Sequence, residues 1–419
     1  MTITLDQIDL LEDTWAQRVP YDQFEVLREQ APIFWHDHPE FKGFWVVTRY
    51  DDVRAISRDH HTFSTELGST FLMDHDEEAL ELIRMTLLNM DPPKHSRYRR
   101  LVSAGFTPRM IGRLVDHIDE KAKAILDRVE ARNKAEGGRA MIEFVEEVAA
   151  ELPLQVICEM IGVPEEDRHM VFDWSNRLVG GQDPDFRTSP GDGERAAAEI
   201  YAYCDAIVAD RVANPRDDIM TALVQAEVDG DRLSAQELNM FFVLLCVAGN
   251  ETTRNLLAHS LHALLERPEV AADLVANIDD DDLWNSTTEE FLRWGSAIHN
   301  FRRTTTCDTE VAGQTIKKGE KVVIYYPAAN TDPTHFDDPY TFDPRRSPND
   351  HLTFGGGGAH FCLGANLARA EIKVMMREFL RRFPDVTAAG PAKRMRSDFV
   401  NGIKYLPVHL TGGAGPPPA

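Results

Sequence analysis

The chain has 419 residues, of which 43% are hydrophobic and 27% are charged, and these values are typical of a globular protein. Its 26 glycines and 23 prolines occur at close to the ordinary frequency, which excludes collagen-like and low-complexity chains. Acidic residues outnumber basic ones by 69 to 45, and the resulting net charge of −24 disfavours nucleic acid and anionic lipid as general partners.

The N-terminus and the cysteines indicate a soluble, cytoplasmic protein without a membrane span. The first residues are acidic where a signal peptide would be basic. The longest apolar run, residues 240–249, is about half as long as a bilayer crossing requires. The five cysteines are odd in number and include no C-x-x-C pair, so we expect no disulfide framework. A monomer is the default oligomeric state.

The predicted elements are mostly helices, with short strands in several separate places. In chain order they are strands at 33–36 and 44–48, helices at 97–132 (interrupted at the Thr107–Pro108 step) and 144–161, a loop at 180–193, helices at 234–267 and 287–294, strands at 304–311 and 321–326, and a helix at 363–383. We interpret the chain as mainly α, with one large α-rich unit at 1–411, a small β-sheet region, and a disordered Gly/Pro tail at 412–419.

The longest predicted helix, 234–267, has a polar segment in its middle. The helix begins at a capping box formed by Ser234 and Glu237. Its apolar middle contains the segment AGNETT at 248–253. Burying the charged group and two hydroxyls of this segment costs free energy, so they are expected to serve a function. The glycine is expected to open space beside the helix, and a threonine hydroxyl can bond the carbonyl four residues back. We predict a polar notch that holds water; the alternative is a structural kink with the glutamate paired to a buried base.

A glycine-rich loop, FGGGGAHFCLG at 354–364, precedes the last predicted helix. Four successive glycines allow the backbone to approach a flat ligand closely. Cys362 lies just before strong helix formers, so unpaired amides and the helix dipole would stabilise a thiolate there. The spacing of phosphate-binding loops is absent, and His351, His360 and Cys362 are too few for a zinc site. The remaining alternative is a plain buried cysteine.

A third signal is the E-x-x-R pair formed by Glu290 and Arg293, a spacing that alone is also met by chance on surface helices. Taken together and in this order, the three signals resemble the cytochrome P450 family, the haem-thiolate monooxygenases, over residues 22–410. The family's C-x-G corresponds to Cys362 and Gly364, and its [AG]-G-x-[DE]-T corresponds to 248–252.

Two further matches and one departure concern the same resemblance. The H-x-x-x-R pattern is present at His95 and Arg99, and FDPRRSPN contains the arginine that meets the E-x-x-R pair, Arg346. Phe354, however, lies eight positions before Cys362, whereas the family usually has seven. A longer glycine run of this kind, and the segment GFTPR at 105–109, are similar to bacterial members that act on sterols and branched lipids.

The resemblance implies haem b with Cys362 as the axial thiolate ligand of the iron. It assigns cofactor binding to His95, Arg99, Ala248, Arg303, His360, Cys362 and Gly364, with Arg302 competing with Arg303 as a ligand of a haem propionate. Charge-assisted hydrogen bonds of about 1.5–3 kcal/mol each would make the basic groups the principal anchors besides the thiolate.

The resemblance also implies the roles of two groups of polar residues. Glu251 and Thr252 are expected to deliver protons for cleavage of the O–O bond, which the thiolate ligand favours. Glu290, Arg293 and Arg346 are expected to form a structural ion-paired triad that braces the cysteine loop.

The substrate pocket implied by the resemblance is apolar, so a lipophilic substrate is expected. Its predicted lining comprises Met85, Leu87, Leu88, Phe242, Leu245, Val247, Ala297, Ile298, Phe301, Phe399 and Val400. Each of these residues has ordinary core packing as its alternative. Residues 178–181 are expected to belong to a mobile lid.

We therefore expect a monooxygenase that inserts one oxygen atom from O2 into a sterol, terpene, fatty acid or similar substrate. Electrons would come from NAD(P)H through a ferredoxin reductase and a ferredoxin, which Lys94, Arg97, Arg100 and Arg109 would dock. One alternative is a P450-fold isomerase or dehydratase that needs no external electrons, and another is a non-enzymatic haem gas sensor. The intact Glu251–Thr252 pair favours oxygen activation.

Overall fold

The computed structural model describes residues 3–103, 108–186, 189, 191–228 and 230–410, without the side chains of 108–113, 228 and 231. The predicted tail at 412–419, most of the GFTPR segment and the side chain of Arg109 therefore lie outside the described residues.

Helices dominate the described part of the chain. They are α1 (Glu12–Gln17), α2 (Tyr21–Gln30), α3 (Tyr50–Arg58), α4 (Glu77–Ile83), α5 (Lys94–Ser103), α6 (Pro108–Ala135), α7 (Glu151–Met160), α8 (Arg168–Val179), α9 (Asp192–Ala213), α10 (Ile219–Gln225), α11 (Ala235–Leu265), α12 (Pro268–Ala276), α13 (Asp281–Gly295), α14 (Tyr326–Ala329) and α15 (Ala365–Arg382). None of these helices is both long and apolar enough to cross a bilayer.

The strands are short and form several small sheets. They are β1 (Ile33–His36), β2 (Phe44–Val47), β3 (Phe63–Ser64), β4 (Met141–Glu143), β5 (Glu227–Val228), β6 (Asp231–Arg232), β7 (Asn300–Thr305), β8 (Thr309–Val311), β9 (Gln314–Ile316), β10 (Lys321–Tyr325), β11 (Thr387–Ala388), β12 (Lys393–Arg394), β13 (Ile403–Tyr405) and β14 (Pro407–His409). The largest sheet has the order β1-β2-β10-β7-β3, and only β2 and β10 in it are parallel. Strand β10 reads KVVIY and is buried throughout, as expected of a β-branched central strand.

Helix α11 is the centre of the helical part. Its predicted capping box is present: the Ser234 hydroxyl accepts from the Glu237 amide, and the Glu237 carboxylate accepts from the Ser234 amide at 2.8 Å. Helices α7, α8, α9, α13 and α15 all pack against it. The predicted mainly α fold with a small sheet region is confirmed.

Four predicted elements differ clearly from the structure in their boundaries. The helix at 287–294 is longer than predicted and is α13, Asp281–Gly295. The helix at 97–132 is divided into α5 and α6, and Pro108 begins α6 because proline suits the first helical turn. The helix at 144–161 starts with a π-turn, Val145–Ala149, before α7. The strand at 304–311 is two strands, because β7 pairs with β10 and β3 whereas β8 pairs only with β9.

Candidate active site

Helix α11 borders an interior space at the predicted notch. Ala248 is exposed although Cys246 and Asn250 on either side of it are buried, and Thr252, one turn later, is half-buried. The Thr252 hydroxyl donates to the carbonyl oxygen of Ala248 at 2.8 Å, which is the hydrogen bond expected from the sequence. This face of α11 therefore presents a small side chain and a hydroxyl to an open volume.

Glu251 is held in an ion pair that the sequence analysis considered only as an alternative. Its carboxylate bonds the guanidinium of Arg254, and both side chains are buried. The Arg254 Nη1 atom in turn donates to the Asn176 side chain of α8 at 2.7 Å. Burial raises the pKa of Glu251, and Arg254 opposes that rise. The second carboxylate oxygen, Oε1, has no hydrogen-bond partner among the described residues, so it is available to a further donor.

Gly249 allows close helix packing and does not open space beside α11, so that expectation was wrong. A Cβ atom at this position would lie 2.7 Å from Cγ1 of Ile157 on α7. That distance is far below an ordinary contact, so α7 can approach α11 here only because the residue is glycine.

The glycine-rich loop packs against α3 as well as against the site. Gly355, Gly357 and Gly358 have positive φ angles of 95°, 91° and 80°. A Cβ on Gly356 would lie 2.8 Å from the Ser57 side chain of α3. The glycine run is therefore required by backbone conformation and by helix contact, in addition to the ligand approach expected from the sequence.

Cys362 borders an interior space at the end of this loop. It is a free thiol with accessible surface although it lies deep in the protein. Its amide donates to the Phe354 carbonyl at 2.9 Å. Burial raises the pKa of the Cys362 thiol, whereas the Gly364 amide and the guanidinium groups of Arg99 and Arg369 lower it. The Phe354 ring lies between the Phe361 ring, 6.4 Å away, and the Arg369 guanidinium, 4.6 Å away.

Arg99 of α5 fastens the cysteine loop. Its guanidinium donates to the carbonyl oxygens of Ala359 at 3.0 Å and Phe361 at 2.6 Å. Arg99 therefore supports the loop directly, a contact that the sequence analysis did not predict.

The predicted basic groups lie together beside the loop. The His95 and His360 rings are 4.3 Å apart. Burial and the positive charge of Arg99 lower the pKa of His95 to about 4. Burial, and to a smaller extent the positive charge of Arg303, lower the pKa of His360 well below its ordinary value. The His95 Nδ1 atom is buried without a partner in the described chain. Asp91 acts electrostatically on His95 and Arg303, but in the described chain no carboxylate forms a salt bridge with the cluster, which therefore fits the carboxylates of a cofactor.

Of the two adjacent arginines on β7, Arg303 belongs to this cluster and Arg302 does not. Arg302 pairs with Asp74 at 3.2 Å and donates to the Met73 carbonyl at 3.0 Å. Arg303 interacts electrostatically with His360, and its one hydrogen bond within the described residues is donated to the Arg302 carbonyl. Successive strand residues point to opposite faces, so only one of the two can reach the site.

The E-x-x-R pair is fully buried and forms an ionic network with the partly buried Arg346. Glu290 accepts from Arg293 Nε and Nη2 at 2.8 and 2.7 Å, and from Arg346 Nε at 3.3 Å. Arg293 also donates to the Asn330 carbonyl at 2.8 Å. The Asn330 side chain accepts from the Leu352 amide at 2.7 Å, immediately before the glycine-rich loop. The network is thus connected to the cysteine loop through Asn330.

The residues predicted to line the pocket fall into three sets. Ala297, Ile298, Phe399 and Val400 lie together: the Asn401 amide donates to the Ala297 carbonyl at 2.8 Å, and Ile298 forms a β-bridge with Val400. The partly buried residues of the predicted lining include Met85, Leu88, Val247 and Phe301. Leu87, Phe242 and Leu245 are buried in the main core cluster, where ordinary core packing is the alternative stated above.

Several residues of this region are not among those predicted from the sequence pattern. Phe71 packs on Phe399 with a centroid distance of 4.9 Å, and Phe399 packs on Phe301 at 5.4 Å. Half-buried Leu244 lies one turn before Ala248 on α11. The i, i+4 spacing from Ala248 could have indicated Leu244, whereas no local signal indicates Phe71.

The segment predicted as a lid, 178–181, lies at the end of α8 and is followed by an anchored stretch. The Asp183 carboxylate is buried and pairs with Lys404 of β13 at 2.8 Å. The Gln182 side chain accepts from the Asp398 amide at 2.9 Å. The connection after α8 is therefore bound to the segment that carries Phe399 and Val400.

These features together fit haem b. An accessible thiol, a cluster of basic groups with an unpartnered buried nitrogen, and an exposed alanine on a buried helix match the needs of a flat, dianionic iron cofactor. Within the described residues, no group of three or more His, Cys, Asp or Glu side chains could hold a bare metal ion.

Comparison with known proteins agrees with this geometry. The family model described as Cytochrome P450 matches residues 13–400. A steroid C26-monooxygenase of Rhodococcus jostii is 41% identical over 412 residues, which is 96% of this chain and 84% of that protein. A methyl-branched lipid omega-hydroxylase of Mycobacterium tuberculosis is 42% identical over 404 residues, 94% of this chain and 92% of that protein.

A solved structure of a Mycobacterium marinum cytochrome P450 in complex with pseudoionone has a TM-score of 0.89 and 38% identity. The similarity covers 97% of this chain and 99% of that chain.

Proposed function

The chain belongs to the cytochrome P450 family, and we propose that it hydroxylates the end of a branched aliphatic chain on a steroid or a methyl-branched lipid. It is a haem-thiolate monooxygenase that inserts an oxygen atom from O2 into a lipophilic substrate. The relatives named above act on these two substrate classes, at C26 and at the omega position.

The observation that carries this proposal is the aromatic wall formed by Phe71, Phe301 and Phe399. Phe399 is half-buried and touches both of the other rings, so the wall is rigid and apolar. A rigid apolar wall favours a narrow hydrocarbon chain end over a polar group, because a polar group would lose its hydrogen bonds to water there.

We assign Cys362 as the ligand of the haem iron and His95, Arg99, Arg303 and His360 as the donors to its propionates. Haem ligated by a thiolate supplies the binding and cleavage of dioxygen. His95 and His360 have depressed pKa values and are neutral at pH 7, so each donates one ring N–H, while the two arginines supply the positive charge.

Ala248 and Gly364 are assigned to contacts with the haem faces. Ala248 is the exposed small residue of α11, and a Cβ at Gly364 would meet open space. Small residues at both positions leave room for a flat ring system.

Thr252 and Glu251 are assigned to proton transfer: they would hold and move protons on the α11 side of a haem bound at this site. The Thr252 hydroxyl is anchored by its bond to Ala248 and keeps its oxygen as an acceptor for water. The Glu251 carboxylate has a free Oε1 atom, while its other oxygen bonds Arg254. We infer that the Arg254–Asn176 contact holds Glu251 back and that proton delivery uses Oε1 through water.

Titration of the haem-loaded protein with matched lipids tests the substrate class. We expect a steroid with a branched side chain and a methyl-branched fatty acid to shift the Soret band by displacing water from iron. An unbranched fatty acid of equal carbon number should bind at least tenfold more weakly. Product analysis should locate the hydroxyl at the chain end. Equal affinity for branched and unbranched acids, or hydroxylation within the ring system, would contradict the proposal.

The variant Phe399→Ala tests the aromatic wall itself, with Phe41→Ala as the control. Phe41 belongs to the β1–β2 connection and is partly buried near His38. We expect Phe399→Ala to weaken binding of the branched lipid and to spread hydroxylation over several carbons, while the control retains one product. An unchanged product distribution in Phe399→Ala would remove the wall from the proposal.

For electron supply we propose NAD(P)H, a ferredoxin reductase and a ferredoxin that docks on α5. Arg100 is exposed on this helix, which also carries Lys94 and whose Arg99 contacts the cysteine loop. Turnover supported by ferredoxin should fall as ionic strength rises, because salt screens the contact between unlike charges. A rate that is independent of ionic strength would contradict docking through these charges.

The monooxygenase reading is preferred to the isomerase, dehydratase and gas-sensor alternatives, because the curated relatives named above are oxygen-inserting enzymes. Product formation that continues without any reductant would overturn this preference. We also propose a cytoplasmic monomer; all five cysteines are free thiols, which suits a reducing compartment.

A further inference from the structure

A basic cavity lies behind the segment that carries Phe399 and Val400, and it shares no residue with the candidate active site. Its volume is about 490 Å³, and it is bounded by the end of α1, the last turns of α11 and the β12–β13 hairpin. Its polar lining includes Gln17, His262, Lys393, Arg394 and Lys404. Among the described residues that line it, none carries a carboxylate. The chain has a net charge of −24, so a cavity lined by three cationic side chains and no anionic one differs in charge from most of the surface.

Arg394 is the centre of this cavity, and its charge is not matched by a carboxylate. Its Nε atom donates to the Trp15 carbonyl at 2.9 Å, and its Nη2 atom donates to the Asn401 side-chain oxygen. Both acceptors are neutral, and in the described chain Nη1 has no hydrogen-bond partner. The neighbouring Lys404, in contrast, pairs with Asp183 and Asp185, each at 2.8 Å.

The titratable groups around Arg394 leave its charge uncompensated. Burial lowers the pKa of Arg394 to about 10, so the guanidinium is still charged at neutral pH. Burial and the charge of Arg394 lower the pKa of His259 to about 3, and burial also lowers the pKa of His262. Tyr21 is neutral because burial raises the pKa of its hydroxyl.

Three other groups complete these surroundings. His299 is neutral because burial and Arg394 lower its pKa well below the ordinary value. Lys393 lies over the Tyr405 ring at 5.6 Å and has no carboxylate partner in the described residues. Glu266 is exposed and lies 3.9 Å from His262, on the solvent side. A partly buried cation in such surroundings is costly, and an anion bound at Nη1 would offset that cost.

We propose that this cavity binds a tetrahedral oxyanion, either free phosphate or a phosphomonoester, between the guanidinium of Arg394 and the ammonium group of Lys393. These residues are adjacent on β12, but the pairing with β13 shifts register between them, and both line the cavity. A guanidinium offers parallel N–H donors that match phosphate oxygens, and Lys393 adds a second positive charge on the exposed side.

Occupancy of the cavity would stabilise the hairpin next to the substrate pocket. Arg394 bonds Asn401, and the Asn401 amide donates to the Ala297 carbonyl at 2.8 Å. The Asn401 side chain also donates to the Gly295 carbonyl at 2.7 Å. An anion that fixes Arg394 therefore restrains residues 393–405, and this segment includes Phe399 and Val400.

The test is thermal unfolding and calorimetry of the haem-loaded protein with sodium phosphate, sulfate, acetate or chloride at equal ionic strength. We expect phosphate and sulfate to bind saturably and raise the unfolding temperature above that in chloride and acetate. Amide hydrogen exchange should slow in residues 393–405 when phosphate is present. A phosphorylated sugar at equal concentration separates the two sources: tighter binding than phosphate assigns a phosphomonoester, and equal or weaker binding assigns free phosphate.

Variants connect the binding to the named residues. Lys393→Gln should weaken phosphate binding about tenfold, consistent with loss of one charge-assisted contact. Arg394→Gln should abolish saturable binding; should it fail to fold, Lys393→Gln decides the matter alone. The matched control is Lys318→Gln, an exposed lysine on the β9–β10 connection. Equal effects of phosphate and chloride on wild type, preference for acetate, or equal weakening by Lys393→Gln and Lys318→Gln would each overturn the proposal.

Discussion

Replacement of Glu290 by Gln tests whether the buried ionic network supports the cysteine loop. Glu290 is inaccessible to solvent and accepts hydrogen bonds from Arg293, Arg346, the Asp343 amide at 2.9 Å and the Asn349 side chain at 3.1 Å. Glutamine keeps the volume but removes the charge, and it turns an NH2 donor toward the guanidinium groups. Two buried or nearly buried cations are then left without their counter-ion.

The expected loss of unfolding free energy is about 3–5 kcal/mol, the cost of breaking a buried pair by removing one partner. Native proteins are stable by only about 5–15 kcal/mol, so this loss is about a fifth or more of the total. The unfolding temperature should fall by about 3–6 °C, because the unfolding entropy of a chain of this size is large. Because Arg293 also bonds Asn330, which holds the Leu352 amide, haem retention should fall as well.

The assay is thermal and urea unfolding followed by circular dichroism, with haem content taken from the ratio of Soret to protein absorbance. Glu310→Gln is the control, because Glu310 is exposed on β8 and its replacement should change stability by less than about 0.5 kcal/mol. A Glu290→Gln protein within 1 kcal/mol of wild type and with full haem content would refute the reasoning.

Three further predictions concern α11 and its neighbours. Thr252→Ala should lower the product formed per NAD(P)H and raise hydrogen peroxide release, because the hydroxyl bonded to Ala248 is lost; unchanged coupling would remove Thr252 from proton delivery. Gly249→Ala should cost about 1–3 kcal/mol in urea unfolding, because the new Cβ lies 2.7 Å from Ile157, and adding Ile157→Val should recover part of the loss. No recovery would mean that the contact is not the cause. Burial raises the pKa of Glu371 to about 8, so the folded state binds a proton that the unfolded chain releases near pH 4.3. Stability from this group is therefore lost as pH rises from 4.3 to 8, and Glu371→Gln should flatten that slope; an equal slope in the variant would contradict the shift.

Elements that depend on local geometry were predictable from the sequence. The strand at 33–36 is β1, and the helix at 234–267 is α11 within two residues at each end. The capping box and the Glu290–Arg293 pair join residues three positions apart, which helix geometry alone brings together.

Contacts between distant parts of the chain were not predictable in this way. The sequence left Arg302 and Arg303 as alternative ligands of a haem propionate. In the structure they point to opposite faces of β7, and Arg302 pairs with Asp74. The sequence also left open whether Glu251 pairs with a base. That base is Arg254, three residues later on the same helix, so the spacing could have indicated it, whereas the contact of Arg254 with Asn176, 78 residues earlier, was not predictable in this way. Such pairs depend on how helices pack, and residue spacing along the chain carries no information about that packing.

The sequence by itself determined the mainly α fold, the central helix and the presence of a lone cysteine after a glycine run, because these follow from periodicity, capping and composition. Only the tertiary structure decided that Gly356 packs on α3, that Arg99 holds the cysteine loop from 262 residues away, and that Arg394 lacks a carboxylate. The physical reason is that burial, pKa and charge compensation are properties of the complete set of neighbours around a group, and folding assembles those neighbours from remote segments.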